Sequence, residues 1–269
     1  MKTRKNVNNP ANSHGNRMLV AERRQHILSL LQRDGRVLVK ELSESLGISP
    51  ITIRKDLDQL ELRRLMQRTH GGALALQNMM LDPSLKDKEH HQEKEKQRIA
   101  AAAAKLVSEG QCILLDSGTT TTMVARALRE FSRLTIVTNA VNISQELGDT
   151  DFEVILTGGT LRKNSFSLVG PMAEEMLAQI HADILFLAVD GFDSKVGVMT
   201  PNVLESRVNR AMVKASRKVV VVCDSTKFER SSMALIIPPN AVHTVITDCQ
   251  ISETATQNLR SAGIELILV

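Results

Sequence analysis

The chain has 269 residues, 42% apolar and 24% charged, a globular balance with room for two ordinary domains. No apolar run reaches the roughly 18 residues of a membrane span and the start from Met1 to Arg17 lacks the apolar middle of a signal peptide, so a cytoplasmic protein without membrane contact is expected. Residues 1–74 hold 14 Lys and Arg against 7 Asp and Glu, whereas residues 75–269 hold 20 against 23, so only the first quarter is suited to meet a polyanion.

Residues 1–20, rich in Asn, Lys and Arg, are expected to form a disordered basic tail. From Ala21 onward, Ile27, Leu28 and Leu31 fall on one face of a helix that stops at Asp34-Gly35. Val39, Leu42 and Leu46 predict a second helix, ended by Gly47. Ser49 offers an N-cap oxygen and Pro50 the favoured first position of a third, with Ile53, Leu57 and Leu60 at helical spacing. Past Arg64 the chain becomes extended and reaches Arg68-Thr69-His70-Gly71-Gly72, a hairpin tip. This order predicts a winged helix-turn-helix domain over residues 21–74.

With its apolar positions buried, the third helix is left with Ser49, Pro50, Thr52, Arg54 and Lys55 at its N-terminal end, the end that a recognition helix presents to the major groove. Arg54 suits a guanine edge, Thr52 a thymine methyl or a phosphate, and Lys55 a phosphate. Arg68 and His70, in the hairpin, join this candidate surface for double-stranded DNA. The first Phe is Phe131 and there is no Trp or Tyr, so the first 130 residues have no aromatic platform for stacking bases, which argues against single-strand binding of the RRM or OB kind.

The run Ile48-Ser49-Pro50-Ile51-Thr52-Ile53-Arg54-Lys55-Asp56-Leu57, followed by His70-Gly71-Gly72-Ala73, resembles the signature of the DeoR family of bacterial sugar-operon repressors. Arg64 departs from the pattern, standing where the family usually closes the recognition helix with glycine; a left-handed cap there would cost about 1 kcal/mol more than with Gly. The resemblance implies a transcriptional repressor on operator DNA. Winged helices related by a two-fold axis would make it a homo-oligomer, a dimer or a tetramer.

Residues 75–87 read as a linker, with Asp82-Pro83 as a turn, and residues 88–269 as a second domain. Lys86 to Ser108 reads as one helix. His90-His91 point in different directions on it and hold no metal. The three cysteines, Cys112, Cys223 and Cys249, are too scattered for a disulfide framework or a zinc site, and no cofactor is expected.

Beyond Gly110, strand patterns at Cys112–Leu115, Leu134–Thr138, Glu153–Leu156, Ile184–Ala188, Val219–Cys223, Val245–Thr247 and Glu265–Leu268 alternate with helical ones. The helical stretches are 120–130, 141–147, 171–180, 205–216 and 253–261. Alternation of this kind predicts an α/β, Rossmann-like domain with a mostly parallel sheet, which binds ligands beyond the carboxyl ends of its strands.

Those ends carry the candidate effector site. Asp116, Ser117, Gly118, Thr119, Thr120, Thr121 and Thr122 bring hydroxyls and unpaired N–H groups to a helix N-terminus, an anion seat that is neither a Walker loop nor a dinucleotide turn. Later turns add Asn139, then Gly158 and Gly159 with Arg162, then Asp190 and Asp193, and finally Asp224 to Lys227; Glu205 opens a nearby helix. These segments again resemble the family's effector domain, and Val208–Met212 and Asp224–Phe228 are similar to its repressors of N-acetylgalactosamine and galactosamine use. The resemblance implies release from DNA by a phosphorylated sugar.

The domain is also distantly similar to ribose-5-phosphate isomerases, through Asp190, Gly191 and Asp193 and through Asp224 to Lys227. A phosphosugar isomerase-like enzyme is therefore the alternative, with Asp190, Asp193, Glu205 and Lys227 available to move protons. Against it, the enzymes' glycine-rich loop has no counterpart between Asp193 and Glu205, Asn209 falls where their catalytic Glu would be, and the basic N-terminal module has no use in an isomerase.

Overall fold

The computed structural model describes residues 19–62, 65–69, 71–75 and 82–269; the tail through residue 18, Arg64 and His70 lie outside the described residues. The chain forms two compact units that divide after residue 76.

In the first unit, α1 (Val20–Asp34) ends at Gly35, a left-handed cap whose N–H bonds to Leu31 O at 2.9 Å. Helix α2 (Val39–Leu46) ends in the same way at Gly47, and α3 (Pro50–Leu62) follows after Ile48 and Ser49. Ser49 caps α3 as the sequence suggests: Thr52 N donates to Ser49 Oγ at 3.3 Å, and the two hydroxyls lie 2.9 Å apart. Three short strands, β1 (Arg36–Leu38), β2 (Met66–Arg68) and β3 (Gly72–Ala75), form an antiparallel sheet in the order β1-β3-β2. A Cβ on Gly72 would lie 1.9 Å from Val37 O, so only glycine lets β1 close on the hairpin. Strand β1 went unforeseen because three residues between two helices show no period.

The core of this unit joins Ile27 and Leu31 of α1 to Leu42, to Ile53, Leu57 and Leu60 of α3, and to Met66 and Ala73 of the wing. A buried ion pair sits beside them. Asp56 is 2% exposed, and its carboxylate accepts hydrogen bonds from Arg23 Nε at 2.5 Å and Arg24 Nε at 2.8 Å. These bonds lock the recognition helix to α1.

In the second unit, seven strands make one parallel sheet: β4 (Cys112–Leu115), β5 (Thr135–Thr138), β6 (Glu153–Leu156), β9 (Ala182–Leu187), β12 (Ser216–Val222), β14 (Thr244–Thr247) and β15 (Glu265–Leu268). The order across the sheet is β15-β14-β12-β9-β4-β5-β6. Strand residues alternate between two buried cores: Leu114, Leu185, Val219, Val221 and Val245 face one layer, and Ile113, Leu115, Phe186, Val220, Val222 and Ile246 the other. Burial on both faces is why the strands read as continuous apolar runs. Helices α8 (Pro171–Leu177), α9 (Val203–Lys214) and α10 (Glu253–Ser261) pack on the first face, and α5 (Glu93–Ala104), α6 (Thr119–Leu128) and α7 (Val141–Glu146) on the second.

Short antiparallel pieces decorate this frame. Strands β7 (Thr160–Arg162) and β8 (Ser167–Val169) pair as a hairpin, and β10 (Gly191–Asp193), β11 (Gly197–Thr200) and β13 (Ala234–Ile237) form a small sheet. At three or four residues each, they carry too little alternation to be seen in the sequence.

The segment expected to be one helix from residue 86 to 108 is two. Ser84 and Asp87 cap α4 (Leu85–Glu89) reciprocally, with Ser84 N to Asp87 Oδ2 at 3.0 Å and Asp87 N to Ser84 Oγ at 3.2 Å. Gln92, at φ 53°, breaks the chain before α5 begins. Residues 82–87, read as part of a linker, are thus folded within the second unit.

Removing a partner from a buried ion pair leaves uncompensated charge, at a cost of about 3–5 kcal/mol. Asp56→Ala is expected to lower the melting transition of the first unit by that order and to weaken DNA binding with it. Calorimetry of the variant checks this, and an unchanged transition would contradict the locking role of Asp56.

Candidate functional site

The two units carry separate sites. On α3, Ile53, Asp56, Leu57 and Leu60 are buried, while Ser49, Pro50, Arg54 and Lys55 are exposed and Thr52 is half-buried. Ile51, 65% exposed in the first turn, adds an apolar contact to this face that the sequence analysis passed over. Arg68 is placed differently from the others. Its Nε donates to Asp58 at 3.0 Å and its Nη1 to Gly72 O at 2.7 Å, so it braces the wing against α3.

In the second unit the chain runs β4, β5, β6 toward one edge of the sheet, then returns to β9 on the other side of β4 and continues to the opposite edge. The turns after β4 and β9 therefore diverge, the arrangement that opens a binding site at the carboxyl ends of parallel strands. Gly118 allows the close approach there: a Cβ on it would meet Ala188 Cβ at 2.6 Å. As the N-cap of α6, Gly118 offers no side chain to the helix end. Thr121 and Thr122 turn their hydroxyls back onto Gly118 O, at 3.0 and 2.7 Å, while Thr119 and Thr120 are buried beside them.

Three carboxylates meet at these strand ends. Asp116 is 4% exposed, and burial first, then the charges of Glu205 and Asp190, hold its pKa well above the usual carboxylate range despite hydrogen bonds from Ser117 N–H and Asn209. Glu205, also buried, accepts from Arg162 Nη1 and Ser167 Oγ, both at 2.9 Å, and from Thr200 Oγ1 at 3.3 Å. Asp190 pairs with Lys88 Nζ at 2.6 Å. Burial pushes its pKa up, but Lys88, Lys227 and Arg230 outweigh that and bring it below the ordinary value.

Cations gather on the other side. Lys96 of α5 is 3% exposed; burial lowers its pKa to about 8, Asp224 opposes that fall, and Lys227 and Lys88 add to it. Its ammonium donates to Lys88 O and Glu89 O at the end of α4. Lys227 lies in a 3-10 turn, Ser225–Lys227, capped by Asp224, whose Oδ1 accepts from Thr226 N at 3.1 Å.

Residues 23–78 match the DeoR-like helix-turn-helix domain, and residues 91–249 match the DeoR C terminal sensor domain. The chain belongs to the DeoR family. A provisionally assigned aga operon transcriptional repressor of Escherichia coli O157:H7 is 39% identical over 93% of this chain and 94% of its own length. The glycerol-3-phosphate regulon repressor of Escherichia coli K12 is 34% identical over 93% of this chain and its full length. Among solved structures, ribose 5-phosphate isomerase A from Neisseria gonorrhoeae aligns with 52% of this chain and 55% of its own at a TM-score of 0.38 and 16% identity. As a DeoR family member, the protein is a DNA-binding transcriptional regulator and not an enzyme.

Within this DeoR sensor domain, Asp116, Asp190, Glu205, Arg162 and Lys227 of the sequence-derived set share one charge network. Asn139 is 1% exposed, and its Oδ1 has no hydrogen-bond partner, an acceptor left open beside the Ser167 strand. Gly158 and Gly159 have positive φ, and Gly159 is needed because a Cβ would meet Val169 O at 2.6 Å. Asp193 is not brought to the network: its Oδ1 accepts from Lys195 N at 2.8 Å and Val196 N at 3.0 Å, closing the β10–β11 turn. Lys88 and Lys96 were missed, and Asn209, noted only as standing where the isomerases have their catalytic Glu, bonds to Asp116. Lys88 and Lys96 stand in a charge-rich stretch that reads as a solvated face, although Lys96 sits one turn before the buried Ile99-Ala100 step, which was a usable signal.

An acid whose pKa is raised by folding destabilises the fold as pH climbs above its ordinary value, by about 1.4 kcal/mol for each unit of displacement. Asp116→Asn removes that loss. The variant is expected to melt above the wild type at pH 8, with a gap that narrows toward pH 4; a gap independent of pH would contradict the raised pKa.

Proposed function

We propose that the protein represses a carbohydrate catabolic operon, one for an amino sugar among the candidates, and leaves its operator when a phosphorylated sugar binds the strand ends of the sensor domain. The juxtaposition there of buried carboxylates with lysines and an uncapped helix N-terminus carries this reading. A phosphate ester needs cations and N–H donors, so Lys96, Lys227, Ser117 and the first turn of α6 suit it. Sugar hydroxyls, or an amine, need acceptors, and Asp116, Asp190, Glu205 and the open Asn139 oxygen suit those. Relatives named for the aga operon and the glycerol-3-phosphate regulon support a small phosphorylated metabolite as effector.

On the DNA side, Ser49, Pro50, Thr52, Arg54 and Lys55 form the reading end of α3, with Arg68 shaping the wing and His70 a further candidate contact. The protein acts in the cytoplasm as a homodimer or tetramer, on half-sites spaced by about 34 Å or its multiples. No helix among the described residues is long and apolar enough to cross a membrane. A gel-shift titration on the protein's own upstream DNA, with and without sugar phosphates, tests the whole reading; failure to bind that DNA, or binding that no sugar phosphate relieves, would refute it.

Arg54→Ala is expected to cost about 1–3 kcal/mol and relax preference at one base position, while Lys55→Ala weakens all sequences alike and reduces the salt slope by about 1. Wild-type affinity and salt slope in both variants would remove α3 from the groove. On the sensor side, Ser117→Asp and Lys227→Ala should each retain DNA affinity within about twofold and lose the response to sugar phosphate, because each takes away charge complementarity at the phosphate. Ser117 is preferable to Gly118 for this test, since any side chain at Gly118 strikes Ala188. Normal release of either variant would place the phosphate elsewhere.

A further inference from the structure

Residues 82–89 lie across the strand-end network and satisfy it at both ends. Asp82 forms an ion pair with Arg162, Asn164 Nδ2 donates to Asp82 Oδ2 at 3.3 Å, and Leu85 N donates to Asn164 O at 2.7 Å. Six residues on, Lys88 Nζ sits 2.6 Å from Asp190 Oδ1. Arg162 and Asp190 are themselves joined through Glu205 and Thr200: Arg162 to Glu205 at 2.9 Å, Thr200 Oγ1 to Glu205 Oε2 at 3.3 Å and to Asp190 Oδ2 at 3.5 Å. The segment thus closes a ring, Asp82–Arg162–Glu205–Thr200–Asp190–Lys88. It presents a carboxylate to the network's guanidinium and an ammonium to its carboxylate.

We propose that residues 82–89 are a strap that occupies the effector site as a built-in competitor. This rests on the sensor reading above. The Asp82 carboxylate stands in at Arg162 for an acceptor oxygen of the effector's sugar, the phosphate lying at Lys96, Lys227 and Ser117, and Lys88 stands in for a hydroxyl or amino group at Asp190. Lys96 holds the carbonyls at the far end of α4, and the left-handed Gln92 follows, so the strap opens from its Asp82 end and stays tethered at residues 90–92. Asp82 is only seven residues beyond Ala75, the last residue of the winged-helix sheet. Displacing the strap therefore frees the very stretch of chain by which the DNA-binding unit is attached, which gives effector and operator a differential contact to compete through.

A competitor that fills the site most of the time lowers apparent affinity by the fraction of molecules left open. Calorimetric titration of the full chain with galactosamine 6-phosphate, and separately with galactose 6-phosphate, tests this in the wild type, in Asp82→Asn and in Lys88→Met. Both substitutions keep the shape of the side chain. The proposal expects each variant to bind the same sugar phosphate about tenfold more tightly than the wild type, and hydrogen exchange at residues 85–89 to accelerate in the wild type on adding ligand. Unchanged or weaker binding in the variants, with residues 85–89 staying protected in the complex, would make the segment a fixed wall of the site and overturn the strap while leaving the sensor reading intact. Binding of neither compound to any of the three proteins would overturn the sensor reading and the strap with it.

Discussion

Three carboxylates held together at one end of a parallel sheet are the constraint around which the sensor domain is organised. Asp116 ends β4, Asp190 follows β9, and Glu205 reaches in from α9, whose Asn202 cap fixes its first turn. Like charges in low dielectric repel strongly, and the fold meets this in two ways. Arg162 and Lys88 pair directly with Glu205 and Asp190, and the third member, Asp116, takes a raised pKa instead of a partner cation. Strongly displaced acids of this kind cluster at binding and catalytic sites.

The sheet explains why this cost can be borne. Its strands bury both faces, with Leu114, Leu115, Leu185 and Phe186 fully buried, and the charged groups gather at the strand ends and the helices beside them. Gly118 against Ala188 and Gly159 against Val169 bring those turns together by omitting side chains. The residues that make the site concave are therefore distinct from those that give it charge, and a substitution at one of these glycines disturbs packing before it disturbs recognition.

Much of this was legible from the chain because strand ends carry a distinct vocabulary. Runs such as Asp116-Ser117-Gly118-Thr119 and Asp224-Ser225-Thr226-Lys227 stand out after four or more apolar residues, and the strand patterns fell within a few residues of β4, β5, β6, β9, β12, β14 and β15. What escaped notice depends on partners far away in sequence. Asp82 and Lys88 look solvated in isolation, and their partners Arg162 and Asp190 lie 80 and 102 residues on. Asp56 sits on a helix read for its DNA-facing side, and nothing local announces that Arg23 and Arg24 bury it. Asp193 has the reverse history: its motif suggested a ligand, but an Asp four residues before a glycine in a tight hairpin is equally suited to accept turn N–H groups, and the structure uses it so.

The charge asymmetry read at the outset acquires a mechanical sense in this light. A basic winged helix gains most of its affinity for DNA from phosphates, which any sequence supplies, so regulation has to act on the geometry with which the module is presented. Tight binding by an effector is not enough for that, since a ligand with equal affinity for both conformations shifts neither. The sensor must hold something that the effector removes. In this chain the ion pairs Asp82–Arg162 and Lys88–Asp190 tie residues 82–89, at the start of the sensor domain, to the charge network at the strand ends.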